Sequence, residues 1–329
     1  MLLAVPGVFG SVLDPAIGVA GDTQRRRALL VAGGIGFALS AALSAGAIGF
    51  WSLLVALMIG NPATGAFVSL AQATLMDAAP AERARNMARW TVAGSVGYVA
   101  GPVLIAAAAV TGLGWRGLLL LLALPAIPLA LAVRPARVGD SPPDWHGFFR
   151  ALRDPAVLRW LAVLEAADLL LDVFHGFLAL YVVDVVGARP VEAALAVAVW
   201  TGAGFAGDVL LLPLLRRVDG MAYLRVSAAL ALVAYPAFLL VPGLAAKLAL
   251  LVVLGLLGAG WYALPKAALY DALPGRSGTA VAVGGAGGIL GACVPAALGA
   301  IAGGVGLGPT MWLLVIAPVA LLVGLPSRR

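Results

Sequence analysis

The stretch GVAGDTQRRR at residues 18–27 lies between two apolar runs, residues 2–20 and 28–48. Each run has about 20 residues, the length of helix that crosses the ~30 Å hydrocarbon core of a bilayer. The three consecutive arginines at 25–27 are too costly to bury in that core. The stretch therefore predicts a polar turn between two membrane-spanning helices, and the fold is built outward from this pair.

The whole chain has the composition of a protein with many membrane spans. Of its 329 residues, 63% are hydrophobic and 11% are charged, and the mean hydropathy is +1.06. A soluble domain carries about 25% charged residues, so we expect an all-α polytopic membrane protein. The positive charges lie in loops between apolar runs, so nucleic acid is not an expected partner. The single cysteine, Cys293, excludes an intramolecular disulfide.

The apolar runs predict eleven spans, and the basic residues orient them. Of the 21 Lys and Arg, only Arg116, Arg189 and Lys247 fall on one side, which leaves 18 on the other. Basic loops mark the cytoplasmic side. We therefore expect a multi-pass protein of the cytoplasmic (inner) membrane with a cytoplasmic C-terminus and Met1 outside. The expected spans are residues 2–20, 28–48, 51–76, 90–111, 115–133, 157–183, 191–214, 223–241, 246–269, 278–303 and 308–325.

The two halves of the chain repeat each other at an offset of 194 residues, as when LMDAAP (75–80) aligns with LYDALP (269–274). Repeated halves of one orientation occur in some secondary transporters. The helix at 157–183 has no counterpart in the first half, so we favour a six-plus-six architecture whose first helix is missing, with five and six helices present. A true eleven-helix protein is the alternative. The predicted domains are an N-terminal bundle at 1–133 (helices 2–6), a cytoplasmic linker at 134–156 and a C-terminal bundle at 157–329 (helices 7–12).

The turn at 18–27 resembles a motif of the major facilitator superfamily (MFS). In that family the loop between helices 2 and 3 reads Gly-x-x-x-Asp-x-x-Gly-Arg-Arg/Lys. Gly18, Asp22, Arg26 and Arg27 match this pattern, whereas Arg25 replaces the second glycine. The resemblance implies a fold of two pseudo-symmetric helix bundles and a cytoplasmic gate at these residues. A small residue at 18 permits close helix approach, and Asp22 can cap a helix or pair across the gate. The alternative is that the arginines only set the topology.

The stretch GSVGYVAGP at 94–102 resembles the fifth-helix motif of the antiporter branch of the same family. Gly97, Gly101 and Pro102 match it, while Ile105 and Ala106 stand where the motif has further glycines. Gly-x-x-x-Gly allows two helices to touch backbone to backbone, and a proline bends a helix. The resemblance implies a drug-efflux or antiporter-like protein. Residues 51–65 contain no charge, so the arginine of the family's fourth helix is absent.

A polar stripe interrupts the apolar run LEAADLLLDVFH at 164–175. Glu165, Asp168, Asp172 and His175 follow a 3-4-3 spacing, which places them within about 80° on one α-helical face. Charges inside a membrane helix are expensive and mark candidate functional sites. We predict a pathway for substrate and protons here. Pairing with arginines at the cytoplasmic end could explain Glu165 but reaches Asp172 poorly.

Three further pairs of polar residues are related by the repeat: Asp14 and Asp208, Gln72 and Lys266, and Asp77 and Asp271. The first pair are proton or gating groups, or interfacial hydrogen-bond anchors. In the second, Lys266 either snorkels to the surface, the favoured reading, or forms an ion pair inside the cavity. The third pair begin cytoplasmic loops and are gate candidates.

The leading hypothesis is a secondary active transporter that exports small organic solutes by alternating access, coupled to protons. The expected partners are a small-molecule substrate, protons and the lipid bilayer, and the expected state is a monomer without cofactor or metal. A transport-inactive remnant or sensor is one alternative. A membrane prenyltransferase-like enzyme is another, because Glu165, Asp168 and Asp172 have the spacing of a magnesium-diphosphate motif. Such enzymes need a second acidic motif, which the sequence lacks, so we do not expect an enzyme.

Overall fold

The computed structural model describes residues 4–133, 142–291 and 293–326, and these residues are helical apart from short connections. Ten helices in this part of the chain are long and apolar enough to cross a membrane, and an eleventh apolar helix near the N-terminus is shorter. The all-α polytopic fold is therefore confirmed. Residues 134–141 of the predicted linker lie outside the described residues.

Twelve helices account for most of the residues that the structure describes. One of them, α6, is a short helix in the predicted linker, and the other eleven follow the predicted spans. Their bounds are α1 (Ala4–Gly21), α2 (Arg26–Ala45), α3 (Phe50–Ala78), α4 (Pro80–Val110), α5 (Gly114–Ala132), α6 (Trp145–Ala151), α7 (Pro155–Val185), α8 (Pro190–Leu214), α9 (Gly220–Leu240), α10 (Leu244–Ala272), α11 (Ser277–Gly291 and Val294–Val305) and α12 (Leu307–Gly324).

The largest difference from the predicted spans is at the start of α4. The expected span begins at residue 90, whereas the helix begins at Pro80. Residues 82–89 are mostly charged or polar helix formers, and hydropathy alone ends a span where charges begin. Nothing in this segment breaks a helix, so α4 continues beyond the apolar region.

Two of the long helices contain π turns. One lies in α3 at Gly65–Ser69, and two lie in α7 at Leu169–Val173 and Tyr181–Val185. Such turns form i→i+5 hydrogen bonds and occur frequently at functional sites. The turn at Leu169–Val173 falls inside the predicted polar stripe and contains Asp172, so it bears directly on how that stripe is arranged.

The chain packs into two compact units. Unit 1 consists of Met1–Arg83, Ala100–Val157 and Leu269–Ile289, and unit 2 consists of Ala84–Val99, Leu158–Ala268 and Leu290–Arg329. This grouping follows packing rather than chain order, because the segment 84–99 joins unit 2 and the segment 269–289 joins unit 1. The predicted division into bundles on either side of residues 134–156 stays a prediction.

Small residues hold the helices of unit 1 close together. A Cβ atom added to Gly33 of α2 would lie 2.7 Å from the backbone nitrogen of Phe67 in α3. One added to Gly34 would collide with Ala130 of α5. Helices in a bilayer gain little from burying apolar surface against each other, so close backbone approach supplies much of their attraction. These glycines explain why α2 lies between α3 and α5.

Aromatic rings fill the centre of unit 2. Phe174 of α7 makes edge-to-face contacts with Trp200, Tyr235 and Phe238, with ring centroids 5.0–5.5 Å apart. Such contacts add about 0.5–1.5 kcal/mol each to the burial of the rings. The cluster fixes the middle of α7 against α8 and α9, and this places the polar stripe on the same helix.

Lys247 lies beside this cluster and is buried. Its Nζ donates to the carbonyl oxygens of Phe238 (2.5 Å) and Leu239 (3.3 Å) and to the Tyr181 hydroxyl (3.3 Å). Those carbonyls belong to the last turn of α9, where no helical partner is available. Lys247 therefore caps the C-terminus of α9, and a positive charge is favourable at that end of a helix.

Candidate functional site

The acidic residues of α7 form one electrostatic cluster in unit 2. Asp168 lies close enough to both Glu165 and Asp172 for their charges to interact, and Asp172 interacts in the same way with His175. Glu165, Asp168 and His175 are half-buried, while Asp172 is exposed. Among the described residues, no group of three or more His, Cys, Asp or Glu is arranged to hold a metal ion.

Lys266 of α10 faces this cluster. Its charge acts on both Glu165 and Asp168, and its side chain is half-buried. Of the two alternatives drawn from the sequence, this location matches a charge partner inside the protein rather than a side chain extended to the surface. The site therefore contains three acids and one lysine, so its charge depends on how many protons the acids hold.

The π turn at Leu169–Val173 changes the geometry of the stripe. The arc of about 80° assumes an uninterrupted α-helix, but a π turn accommodates roughly one additional residue. Side chains after the turn are therefore displaced around the axis by up to about 100° relative to Glu165 and Asp168. His175 follows the turn and is displaced in this way, while Asp172 lies within the turn itself. The displacement widens the polar surface of α7.

Tyr98 is a member of the cluster that the sequence analysis missed. It lies on α4, in the part of that helix that belongs to unit 2, and its side chain is exposed. Its hydroxyl is close enough to Asp172 and Asp168 to interact with both charges. The signal in the sequence is the position of Tyr98 inside GSVGYVAGP, as the one polar aromatic residue of that stretch.

Gly97 and Gly101 of that motif have open space beside them among the described residues. A Cβ atom added to Gly97 or Gly101 would meet no atom of the described residues within 4 Å. The role of these positions in helix contact stays a prediction. Pro102 lies inside α4, which remains helical on both sides of it. What these glycines provide is open space beside Tyr98.

Asp208 of α8 is anchored by a hydrogen bond. The Ser95 hydroxyl of α4 donates to its Oδ2 at 2.6 Å, and the backbone of Gly260 provides a further hydrogen bond. The carboxyl is buried, and a buried acid without such partners would be strongly destabilising. This geometry matches the anchor reading of Asp208, one of the two left open by the sequence.

Asp14 of α1 occupies a different setting in unit 1. It packs against two glycines, Gly65 of α3 and Gly285 of α11, at positions where a larger residue would collide with it. It also lines a cavity of about 410 Å³ whose polar wall includes Ser40 and Asn61. Gln72, the other polar candidate of this unit, is buried, and its Oε1 accepts a hydrogen bond from the Tyr270 hydroxyl at 3.1 Å.

Arg26 is the centre of the predicted gate and is only 2% exposed. Its Nη1 donates to Asp77 Oδ2 at 2.6 Å, its Nη2 to the Ser277 hydroxyl at 2.7 Å, and its Nε to the Gly21 carbonyl at 2.5 Å. The Ser277 hydroxyl in turn donates to Asp77 Oδ2 at 2.5 Å. Two predicted gate residues, Arg26 and Asp77, are thus brought together with the first residue of α11.

Asp22 contacts the same end of α11. Its Oδ1 accepts from the Gly278 amide at 2.6 Å, and its Oδ2 accepts from the amide and hydroxyl of Thr279, both at 2.7 Å. These amides belong to the first turn of a helix, where they have no helical acceptor and favour negative charge. Burial raises the pKa of the Asp22 carboxyl, and the bonds from Thr279 and Gly278 and the charge of Arg26 oppose that rise. Asp22 therefore caps α11 from another part of the chain.

Gly18 makes this contact possible. A Cβ atom there would lie 2.5 Å from the Ala282 nitrogen and 2.6 Å from the Gly278 carbonyl. A Cβ on Gly278 would likewise collide with the Gly18 carbonyl. Helices α1 and α11 thus cross glycine to glycine, as the small residue at 18 predicted. We name this contact, formed by Gly18, Asp22, Arg26, Asp77 and residues 277–279, the α11 latch.

The remaining gate candidates are arranged differently. Asp271 pairs with Arg83, a residue the sequence analysis did not select, at 2.8 Å. Arg83 also donates to the backbone carbonyls of Met76 and Tyr270. Arg27 is exposed and lies outside the network around Arg26. The motif therefore contributes one buried arginine rather than two.

The network around Arg26 and Asp22 is built on the motif that suggested the family. The profile of the Major Facilitator Superfamily matches residues 1–294. The chain belongs to this superfamily. It is a multi-pass membrane transporter and not an enzyme, so the prenyltransferase alternative is wrong. No curated protein sequence matches the chain.

Solved structures show the same fold. The E. coli fucose:proton symporter FucP is 15% identical, with a TM-score of 0.81 over 98% of this chain and 89% of that one. A bacterial homologue of the iron transporter ferroportin, in an outward-facing state, is 17% identical (TM-score 0.70; 98% and 87% covered). The human organic anion transporter MFSD10 (TETRAN) is 20% identical (TM-score 0.71; 99% and 83% covered). At these identities the likeness concerns the fold alone.

Proposed function

We propose that this MFS protein exports small organic solutes in exchange for protons by alternating access. The observation that carries the proposal is the cluster on α7, where Asp168 interacts with Glu165 and Asp172, and Lys266 acts on Glu165 and Asp168. Carboxylates inside a membrane helix are expensive unless they serve a wet pathway. Three of them around one lysine supply groups that can exchange a proton for a substrate. The stretch GSVGYVAGP supports the efflux direction.

The α11 latch supplies the conformational half of the mechanism. Its basic surroundings support a location on the cytoplasmic side, where it would hold the protein closed while the substrate site opens outward. Release of α11 from Asp22 and Arg26 would open the cytoplasmic path. The inner-membrane location, the cytoplasmic C-terminus and the monomeric state belong to this proposal as well.

The test is flux in proteoliposomes with an imposed pH gradient. The purified protein is reconstituted with a pH-sensitive dye inside the vesicles, and panels of cationic, zwitterionic, anionic and neutral solutes are added in turn. We expect at least one class to move protons across the membrane. Asp168→Asn and Asp172→Asn should abolish this coupled flux, because an asparagine amide does not bind and release a proton at the pH values of the assay.

The matched control is Asp184→Asn. Asp184 is an exposed acid on the same helix, so the change in charge and shape is identical but lies outside the cluster. Coupled flux retained in both Asp168→Asn and Asp172→Asn would refute the assignment of the cluster. Absence of flux with every solute, in protein that is folded and stable, would favour the transport-inactive alternative.

A further inference from the structure

One face of the short helix α6 is packed within unit 1, and the rings on its other face are exposed among the described residues. Phe148 is only 5% exposed, and Gly147 and Ala151 are also buried. On the opposite side, Trp145 and Phe149 are 43% and 56% exposed. A seven-residue helix has too few hydrogen bonds to be stable alone, so the docked face keeps α6 in place and presents its two exposed rings.

An ion pair fastens α6 to the residue that precedes α11. Asp144 caps α6 by accepting from the Gly147 amide at 2.7 Å, and its second oxygen accepts from Nη2 of Arg276. The approach is close, because a Cβ on Gly147 would lie 2.6 Å from Nη1 of Arg276. Arg276 is followed directly by Ser277, the first residue of α11 and a member of the α11 latch. Arg276 therefore connects α6 to the start of α11.

The bare face of α6 has the chemistry of a membrane surface contact. Tryptophan and phenylalanine rings are favourable at the boundary between headgroups and acyl chains. Arg150 of α6 and Arg153, two residues beyond its end, are exposed, and arginines close to a bilayer are attracted to anionic lipids. A soluble protein partner would not require rings and arginines on a helix that ends only four residues before a membrane-spanning one, α7.

We propose that this face binds the anionic phospholipid surface of the bilayer and that binding tightens the α11 latch through Asp144 and Arg276. The proposal rests on the orientation assigned under the proposed function but not on transport or proton coupling. Lipid contact restrains Trp145 and Phe149, the restrained helix holds Arg276, and Arg276 limits the excursions of residues 277–279. Anionic lipid thereby favours the state in which Asp22 caps α11.

The experiment measures hydrogen exchange at the Gly278 and Thr279 amides by mass spectrometry. The full chain is placed in nanodiscs of phosphatidylcholine, or of phosphatidylcholine with added phosphatidylglycerol. We expect exchange to slow at least several-fold when the anionic lipid is present. The response should disappear in Arg276→Gln, which keeps every latch residue, and in Phe149→Ser, which keeps the ion pair.

The control is Arg217→Gln, which removes the same charge from another exposed arginine and should respond like the native protein. Equal exchange in both lipids would overturn the proposal, as would a lipid response that persists in both variants. Inorganic phosphate added to phosphatidylcholine nanodiscs tests for a free anion, and equal slowing by phosphate would refute the lipid assignment. Because no solute is moved, a failure here is distinct from a failure of the transport assay.

Discussion

A single methyl group at Gly18 should open the α11 latch. In Gly18→Ala the new Cβ would lie 2.5 Å from the Ala282 nitrogen, whereas ordinary contacts begin near 3.4 Å. Relief requires α1 and α11 to separate by about 0.9 Å. The three hydrogen bonds to Asp22, now 2.6–2.7 Å long, would then reach about 3.5 Å, beyond the normal range. Overpacking of this kind costs about 1–3 kcal/mol.

The upper end of that range corresponds to a roughly 100-fold shift toward the open state. It can be measured with a cysteine at Ala280, which is fully buried in α11, after the native Cys293 has been replaced by serine. Alkylation of Ala280→Cys by a permeant maleimide should be accelerated by one to two orders of magnitude in Gly18→Ala. Gly94→Ala is the control, since a Cβ there meets no described atom within 4 Å. Alkylation of Gly18→Ala at the unmodified rate would refute the steric argument.

Three further predictions concern polar groups described above. Ser95→Ala removes the donor to buried Asp208 and should destabilise the protein by about 1–3 kcal/mol, and an unchanged melting temperature in detergent would contradict this. Lys247→Met uncaps α9 and should cost about 2 kcal/mol; the midpoint of thermal unfolding tests it, with exposed Arg217→Met as control. Because the pKa of Asp22 is raised above 3.8 in the latch, latch formation takes up a proton, so the latch weakens as pH rises from 3.8 through the raised pKa. Alkylation of Ala280→Cys, corrected for thiol ionisation, should therefore accelerate with pH over that window, and Asp22→Asn should remove the dependence.

The helices were predictable because the length of an apolar run largely determines whether a segment spans the membrane. An apolar run of about 20 residues has few options other than a membrane helix, so the spans follow from composition and length. Their ends are harder, as α4 shows. It continues through charged residues that hydropathy excludes, because helix propensity and membrane burial are separate properties.

Residues of the candidate site were predictable from the sequence only where a single segment contains them. Asp22 and Arg26 could be selected from their own motif, but their partners at residues 277–279 lie more than 250 positions away and are chosen by packing. Tyr98 joined the acidic cluster for the same reason. The π turn in α7 was not predicted either, because the helical periodicity assumes regular i→i+4 hydrogen bonds. Local spacing identifies candidates, and tertiary contacts decide which of them meet.

The burial of Arg26 determines how ionic strength acts on the α11 latch. Its partners Asp77 and the Gly21 carbonyl belong to α3 and α1, so the buried ion pair stays closed when α11 departs. The bonds that break join neutral groups of Ser277, Gly278 and Thr279 to charged side chains, so no ion pair is lost in that step. Salt screens exposed charges far more than buried ones. Release of α11 is thus a nearly salt-independent step, and a salt effect on opening would originate instead at the pair of Arg83 with the 61% exposed Asp271.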